Sequence, residues 1–246
     1  RPRRFGKTLM MSMIDYFFNF KYDSLELFKN RKISKYPDVI DNYLNQYPVV
    51  RLNMRDVYGA NEKEILSSIV NKISRLYRDF DYLLDSENLL EVDKEEFLLI
   101  LNKKADLPLL YTSIYLLTYL LSIHHKKKVI LLIDEYDNPL EVAYEHSVYN
   151  EVMPLLKPIY SSALKGNDYL LFGLITGVLQ IGKEPLFSGL NNLFISSICD
   201  SFLNEYFGFN KSEVKEMLNY YKINVDIEEI SKWYGGYNLI NNHETF

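Results

Sequence analysis

Two short stretches carry residue types that handle phosphate and its counter-ion. The first is Arg1-Pro-Arg-Arg-Phe-Gly-Lys-Thr8, which ends on the Gly-Lys-Thr of the phosphate-loop pattern G-x-x-x-x-G-K-[ST]. Gly6 lets the backbone pass close to phosphate oxygens and turn its N–H groups inward. A helix starting near Lys7 adds its positive end to the same anion. Lys7 reaches the outer phosphates as a mobile point charge, and Thr8 offers a hydroxyl to magnesium. Arg1 stands where the pattern has its first glycine, and its Cβ narrows the backbone choices of the turn. Arg3 and Arg4 add positive charge that either touches phosphate or faces water. The second stretch is Val129-Ile-Leu-Leu-Ile-Asp-Glu135, an apolar run closing on two carboxylates. Alone, it reads equally well as an acidic turn after a core strand. With the loop upstream, it reads as the second nucleotide motif. Asp134 then binds magnesium, directly or through water, and Glu135 orients and deprotonates the attacking water. Adjacent acids on a strand point to opposite faces, so the two roles need not compete.

The surrounding pattern gives these residues their scaffold. Residues 8–20 read as a helix with Leu9, Met13, Phe17 and Phe20 on its apolar face and Asp15 and Asn19 at polar positions. Pro48 to Met54 is a short β-rich run, and residues 61–80 are an amphipathic helix with Ile65, Ile69, Ile73 and Leu76 on one face. Asp106 is placed to cap the next helix, with Pro108 in its first turn. Asn138-Pro139 marks a break and a new helix start, and Pro154 and Pro158 predict a kinked or segmented helix ending near Gly166. Tyr169 to Ile175 is a second near-continuous apolar run, followed by Thr176-Gly177; Leu193 to Ile198 is a weaker third. Apolar strands separated by helices are the pattern of a parallel sheet covered on both faces. Thr176 is either a strand-ending threonine or, if its strand lies between the loop strand and the Asp134 strand, a group facing the γ-phosphate. Beyond residue 200, Asn210 with Glu213 and Asp226 with Glu229 form two capping-box-like starts to short helices. The expected organisation is a core over residues 1–200 and a small helical subdomain over 201–246.

Composition narrows the classes. The chain has 246 residues, 48% hydrophobic and 25% charged, ordinary values for a globular protein. A net charge of −5 gives no global reason to expect nucleic-acid binding. Lys126-Lys-Lys128 before a buried strand reads as a solvated turn, and His124 and His125 lack metal-site spacing. The single cysteine, Cys199, excludes an internal disulfide framework, fits a reducing compartment and reads as a small buried hydrophobe. No signal peptide is visible, and the expectation is a cytoplasmic protein with no membrane partner. The most apolar stretch, Leu107 to Ile123, is near the lower limit for a membrane span, but seven hydroxyl-bearing residues interrupt it and predict a buried core helix. The chain starts on Arg, so it reads as a fragment or a processed product.

These residues resemble the AAA-ATPase-like family. The resemblance rests on Arg1 to Thr8, Ile133-Asp-Glu-Tyr-Asp137, Thr176-Gly-Val-Leu-Gln-Ile181, Phe187-Ser-Gly-Leu-Asn-Asn192, Tyr206-Phe-Gly-Phe209 and Trp233-Tyr-Gly-Gly-Tyr237. Arg at the first loop position is normal for that group. The resemblance implies an α/β, three-layer parallel-sheet P-loop NTPase core of the additional-strand, AAA-like type with strand order 5-1-4-3-2. Residues 48–54, 129–134, 170–176 and 193–198 would be strands 2, 3, 4 and 5, and strand 1 would precede the loop, absent from this fragment. The closing helices resemble a lid. The implied activity is binding of ATP with Mg2+ and slow hydrolysis that drives a conformational switch. Candidate nucleotide-binding residues are Arg4, Phe5, Gly6, Lys7 and Thr8; candidate metal ligands are Thr8 and Asp134; candidate catalytic residues are Glu135 and Thr176. The alternative is a nucleotide-gated binding scaffold with little or no turnover, favoured by Arg1 and by the lack of an identifiable arginine finger. A small-molecule kinase usually needs an arginine-rich lid, and no arginine follows residue 200. Family members commonly carry a PD-(D/E)XK nuclease-like domain after this region. No such motif is found here, so nuclease activity does not carry over to this chain, and nucleic acid is expected as a partner through a domain outside it.

Overall fold

The computed structural model describes residues 6–178, 194, 196, 208–209, 211–233, 237–238 and 244–245. In chain order they form α1 (Lys7–Phe18), α2 (Leu25–Phe28), α3 (Pro37–Tyr43), β1 (Val49–Asn53), α4 (Glu62–Arg78), α5 (Glu91–Leu101), α6 (Leu107–His125), β2 (Val129–Asp134), α7 (Asn138–Glu145), α8 (Tyr149–Leu164), β3 (Leu170–Ile175), α9 (Lys211–Tyr220), α10 (Ile227–Trp233), β4 (Tyr237–Asn238) and β5 (Glu244–Thr245). The chain divides into two compact units, Met11–Asn191 and a second made of Arg1–Met10 with Asn192–Phe246. Arg1 to Phe5, Cys199, Asn210 and the Gly235-Gly236 pair lie outside the described residues, and of the strand expected over 193–198 only residues 194 and 196 are described.

The larger unit is an α/β core on a three-stranded parallel sheet in the order β1-β2-β3. Val49 pairs with Ile130 through to Asn53 with Asp134, and Ile130 with Phe172 through to Ile133 with Ile175. Every residue of β2 is buried, which is why that segment is an unbroken apolar run. One sheet face, from Val50, Leu52, Val129, Leu131 and Ile133, joins α4 to α8 in the main core. The opposite face, from Val49, Ile130 and Leu132, meets Met11 of α1, with Ile14 and Phe18 packed beside it. Helices on both faces of a parallel sheet make three layers, consistent with a P-loop-like core.

Local sequence accounts for the helix starts. Asn61 Oδ1 accepts the Glu64 N–H at 3.1 Å while Glu64 Oε2 accepts the Ala60 N–H at 2.8 Å, a reciprocal cap on α4. The Ala60 N–H most of all, and then the Asn61 side-chain amide donating to Glu64 Oε1 at 2.8 Å, hold the Glu64 carboxyl below its usual range. Ile65, Ile69, Ile73 and Leu76 then form the buried stripe, as expected. Asp106 caps α6 through the Leu109 N–H at 3.0 Å. Helix α6 is long and apolar enough to cross a membrane, and it is a helix of this core, packed against α8 and β2. In the second unit, the Asp226 carboxylate accepts the Glu228 N–H at the start of α10, and β4 pairs antiparallel with β5.

One local reading is corrected and another is narrowed. Of the stripe expected over residues 8–20 only Phe17 is buried: Leu9 and Met13 are exposed, as is Phe20 beyond the end of α1, whereas Met11 is fully buried and Asp15 is 6% exposed. Asp15 is stabilised out of water by the Asn19 amide at 2.8 Å, the Tyr22 hydroxyl at 3.5 Å and the Arg51 guanidinium at 3.9 Å. Pro154 and Pro158 both lie inside one helix, α8, which ends at Leu164 near Gly166, so of the kinked or segmented helix expected here the segmented form is excluded. Six buried side chains along it, Val152 to Ala163, hold the helix to the core and offset the missing N–H groups.

The end of α6 carries a pH-sensitive contact. The His125 ring lies 4.5 Å from the Phe20 ring, and its Nε2 shares a hydrogen bond with the Tyr82 hydroxyl at 2.9 Å. Burial first, and the adjacent His124 second, lower the His125 pKa to about 4, while burial pushes Tyr82 up to about 12. A histidine depressed in the folded state contributes stability that is complete above its unfolded pKa of 6.5 and is lost as pH falls toward 4. Thermal melts are therefore expected to drop between those pH values, and His125→Phe removes part of that drop. Equal acid sensitivity in the variant would contradict this account.

Candidate functional site

The site is built at the C-terminal end of the sheet, where parallel strands present ligand-binding groups. Asp134 is the last residue of β2 and is wholly buried. Its backbone carbonyl accepts the Met54 N–H at 2.9 Å, which ties it to the end of β1. Its side-chain Oδ1 accepts the Thr176 hydroxyl at 2.6 Å. Thr176 is 8% exposed and follows β3 directly, so the parallel order alone brings these two residues side by side.

Glu135 has already left the strand. Its φ is +52°, a left-handed conformation that costs a non-glycine residue about 1–3 kcal/mol and tends to persist at functional positions. The expected strand alternation of the two acids therefore stops at Asp134. A turn, closed by the Asn138 N–H on the Glu135 carbonyl at 3.1 Å, sets the direction of Glu135 instead. Glu135 is half-buried. Asn138 donates from its amide to the carbonyls of Met54 and Val57 at 3.1 and 3.2 Å, joining the turn to the loop after β1.

Gly6, Lys7 and Thr8 stand together at the start of α1. Gly6 has φ +70°, which favours glycine, and its carbonyl accepts the Met10 N–H at 2.9 Å, the first helical bond. Lys7 is buried and Thr8 is exposed. Arg4 and Phe5 lie outside the described residues.

Three residues of this region went unassigned on sequence alone. Asp137 is 2% exposed and accepts the Val178 N–H at 2.7 Å. Tyr160, on α8, donates its hydroxyl to the Tyr136 carbonyl at 2.8 Å; burial, then Asp137, raise its pKa well above the usual phenol value. Gly177 lies against Tyr136 and Asp137. Asp137 closes the Ile133–Asp137 stretch that carries the resemblance, and that was its visible signal.

The family model described as Predicted AAA-ATPase matches residues 1–187, three quarters of the chain. The chain belongs to the AAA-ATPase-like family. Membership suggests nucleotide binding, and Arg1 to Thr8, the Asp134 turn and Thr176 all fall inside the matched stretch. A curated relative, "Uncharacterized protein in vnfD 5'region" of Azotobacter chroococcum mcd 1, is 33% identical over 113 residues, which is 46% of this chain and 22% of that protein. The match thus spans about a fifth of that relative's length. No solved structure matches the chain.

Proposed function

We propose that this protein binds ATP with magnesium and hydrolyses it slowly, using the cycle to switch conformation. Lys7 and the backbone N–H groups of the loop, with Arg4, Phe5 and Gly6 around them, hold the phosphates. Thr8 and Asp134 hold the ion. Glu135 orients and deprotonates water, and Thr176 senses the γ-phosphate. The observation that carries this reading is the Asp134 carboxylate, fully buried at the end of the central strand with a hydroxyl 2.6 Å away.

The donors fit magnesium. Both are hard oxygens, and magnesium takes one or two protein ligands while drawing the rest from phosphate and water. Among the described residues no group of three or more His, Cys, Asp and Glu forms a full protein cage, as such an ion would require none. When bound, magnesium supplies charge neutralisation at the outer phosphates.

The finer architecture belongs to the same proposal. In the whole protein an upstream strand 1 and a strand over 193–198 complete the order 5-1-4-3-2, of which β3-β2-β1 is the 4-3-2 part. Residues 1–200 are the ATPase core and 201–246 a helical lid. The setting is cytoplasmic, and nucleic acid is met only through a domain beyond this chain. Titrating the full chain with ATP in a calorimeter, with and without Mg2+, is expected to show binding strengthened by the ion, and phosphate release is expected to be slow. Absence of any binding would sink the proposal. Binding without release would select the scaffold reading, which Arg1 in the loop and the lack of an identifiable arginine finger favour.

A further inference from the structure

Asp137 takes no part in the chemistry assigned above, yet its carboxylate is buried and engaged. It precedes α7, where an aspartate ordinarily caps the first turn. Here it makes no side-chain cap, and its φ of −87° and ψ of −15° are helical rather than cap-like. Its Oδ2 is turned instead to the segment after β3, where it accepts the Val178 N–H at 2.7 Å. Two residues earlier in that segment, the Thr176 hydroxyl donates to Asp134. The main chain adds the Tyr136 N–H to the Thr176 carbonyl at 3.2 Å and the Thr176 N–H to the Ile133 carbonyl at 2.9 Å.

Gly177 lies between the two anchored residues. A Cβ there would come 2.5 Å from Tyr136 Cε1 and 2.8 Å from Asp137 Oδ1, so only glycine permits this approach. The Tyr160 hydroxyl on the Tyr136 carbonyl fastens the turn to α8. Residues 134–137 and 176–178 are therefore cross-linked at both ends of each segment.

The geometry points to Asp137 as a positioning residue: by holding the Val178 N–H it fixes the segment Thr176–Val178 so that the Thr176 hydroxyl stays on the Asp134 carboxylate. This inference rests on the roles of Asp134 and Thr176 given under Proposed function. The acceptor is a carboxylate, and its loss leaves a part-buried N–H without that partner. A threonine hydroxyl reaches its partner only if its own backbone is held, and Val178 is the anchor on the far side.

The test uses the full chain labelled with 15N-valine. Asp137→Ala is expected to speed exchange of the Val178 amide about 10–100-fold, the scale of a lost hydrogen bond to a charged group, while the Val129 amide in β2 stays protected. Asp137→Asn keeps an acceptor oxygen but not the charge, and is expected to speed exchange less than the alanine variant, by about 3–10-fold. In turnover, Asp137→Ala lowers kcat about tenfold with KM for ATP nearly unchanged, and Asp137→Asn restores most of it. Unchanged Val178 exchange in Asp137→Ala, or an asparagine variant as impaired in kcat as the alanine one, overturns the assignment. If Asp137→Ala does not fold, Gly177→Ala drives a methyl into the same contact with the carboxylate in place. Val178 exchange must then rise, and no change refutes the latch. If the wild-type chain binds no ATP, the ATP reading fails, and Val178 exchange alone decides whether Asp137 holds the segment.

Discussion

Replacing Glu135 by Gln is expected to leave ATP binding intact and to slow hydrolysis by about 10²–10³-fold, the scale for removing one key catalytic group. The change is nearly isosteric and keeps the side chain's hydrogen-bonding capacity while removing its ability to take a proton. It disturbs little else. The turn that aims Glu135 is held by main-chain bonds and by Asn138, none of which uses the Glu135 carboxylate. The left-handed backbone at φ +52° strains glutamate and glutamine alike, so no difference in folding stability is expected from that source. Calorimetry for binding, phosphate release for turnover and a thermal melt for folding together separate a chemical effect from a structural one. Wild-type turnover in the variant would remove Glu135 from the mechanism and shift the protein toward the gated-scaffold reading.

The sheet was legible because burial on both faces writes itself into sequence as unbroken apolar runs. Val129 to Ile133 could not be an exposed segment, and it is the fully buried central strand. The caps at Asp106 and the stripe on α4 were legible for the same local reason, since each depends on residues within two turns. Helix α1 misled because it carries two apolar stripes. The one through Leu9, Met13 and Phe17 holds bulky residues of which only Phe17 is buried, but the face through Met11, Ile14 and Phe18 meets the sheet. Asp15 and Asn19 look like surface markers, yet they pair with one another and are buried. Periodicity reports that a helix is amphipathic; it does not report which polar residues find partners inside. The same limit applies to the site. Asp134 and Thr176 could be paired from strand order, because both end parallel strands. The contact of Asp137 with Val178 could not, because one partner is a backbone N–H under an apolar side chain, 41 residues away in sequence.

Replacing Lys7 by Ala is expected to abolish tight Mg-ATP binding while leaving the fold in place. Lys7 supplies a compact positive charge to the outer phosphates, and no neighbouring backbone N–H can replace a full charge. Truncating one partner of a hydrogen-bonded charge pair costs about 2–5 kcal/mol, so affinity should fall by at least about 30-fold. The helix itself should survive. Alanine is the best helix former, and the residues of α1 that pack against the sheet begin at Met11, one turn further on. Lys7→Arg is a second arm, because it keeps the charge but spreads it over a larger planar group. If charge alone matters, arginine restores most of the affinity; if the compact ammonium matters, arginine remains weak. Calorimetric titration of the two variants beside the wild type measures both effects, and a melt checks the fold. Unchanged affinity in Lys7→Ala would mean that the phosphates are held elsewhere, and the loop would then have no claim on the nucleotide.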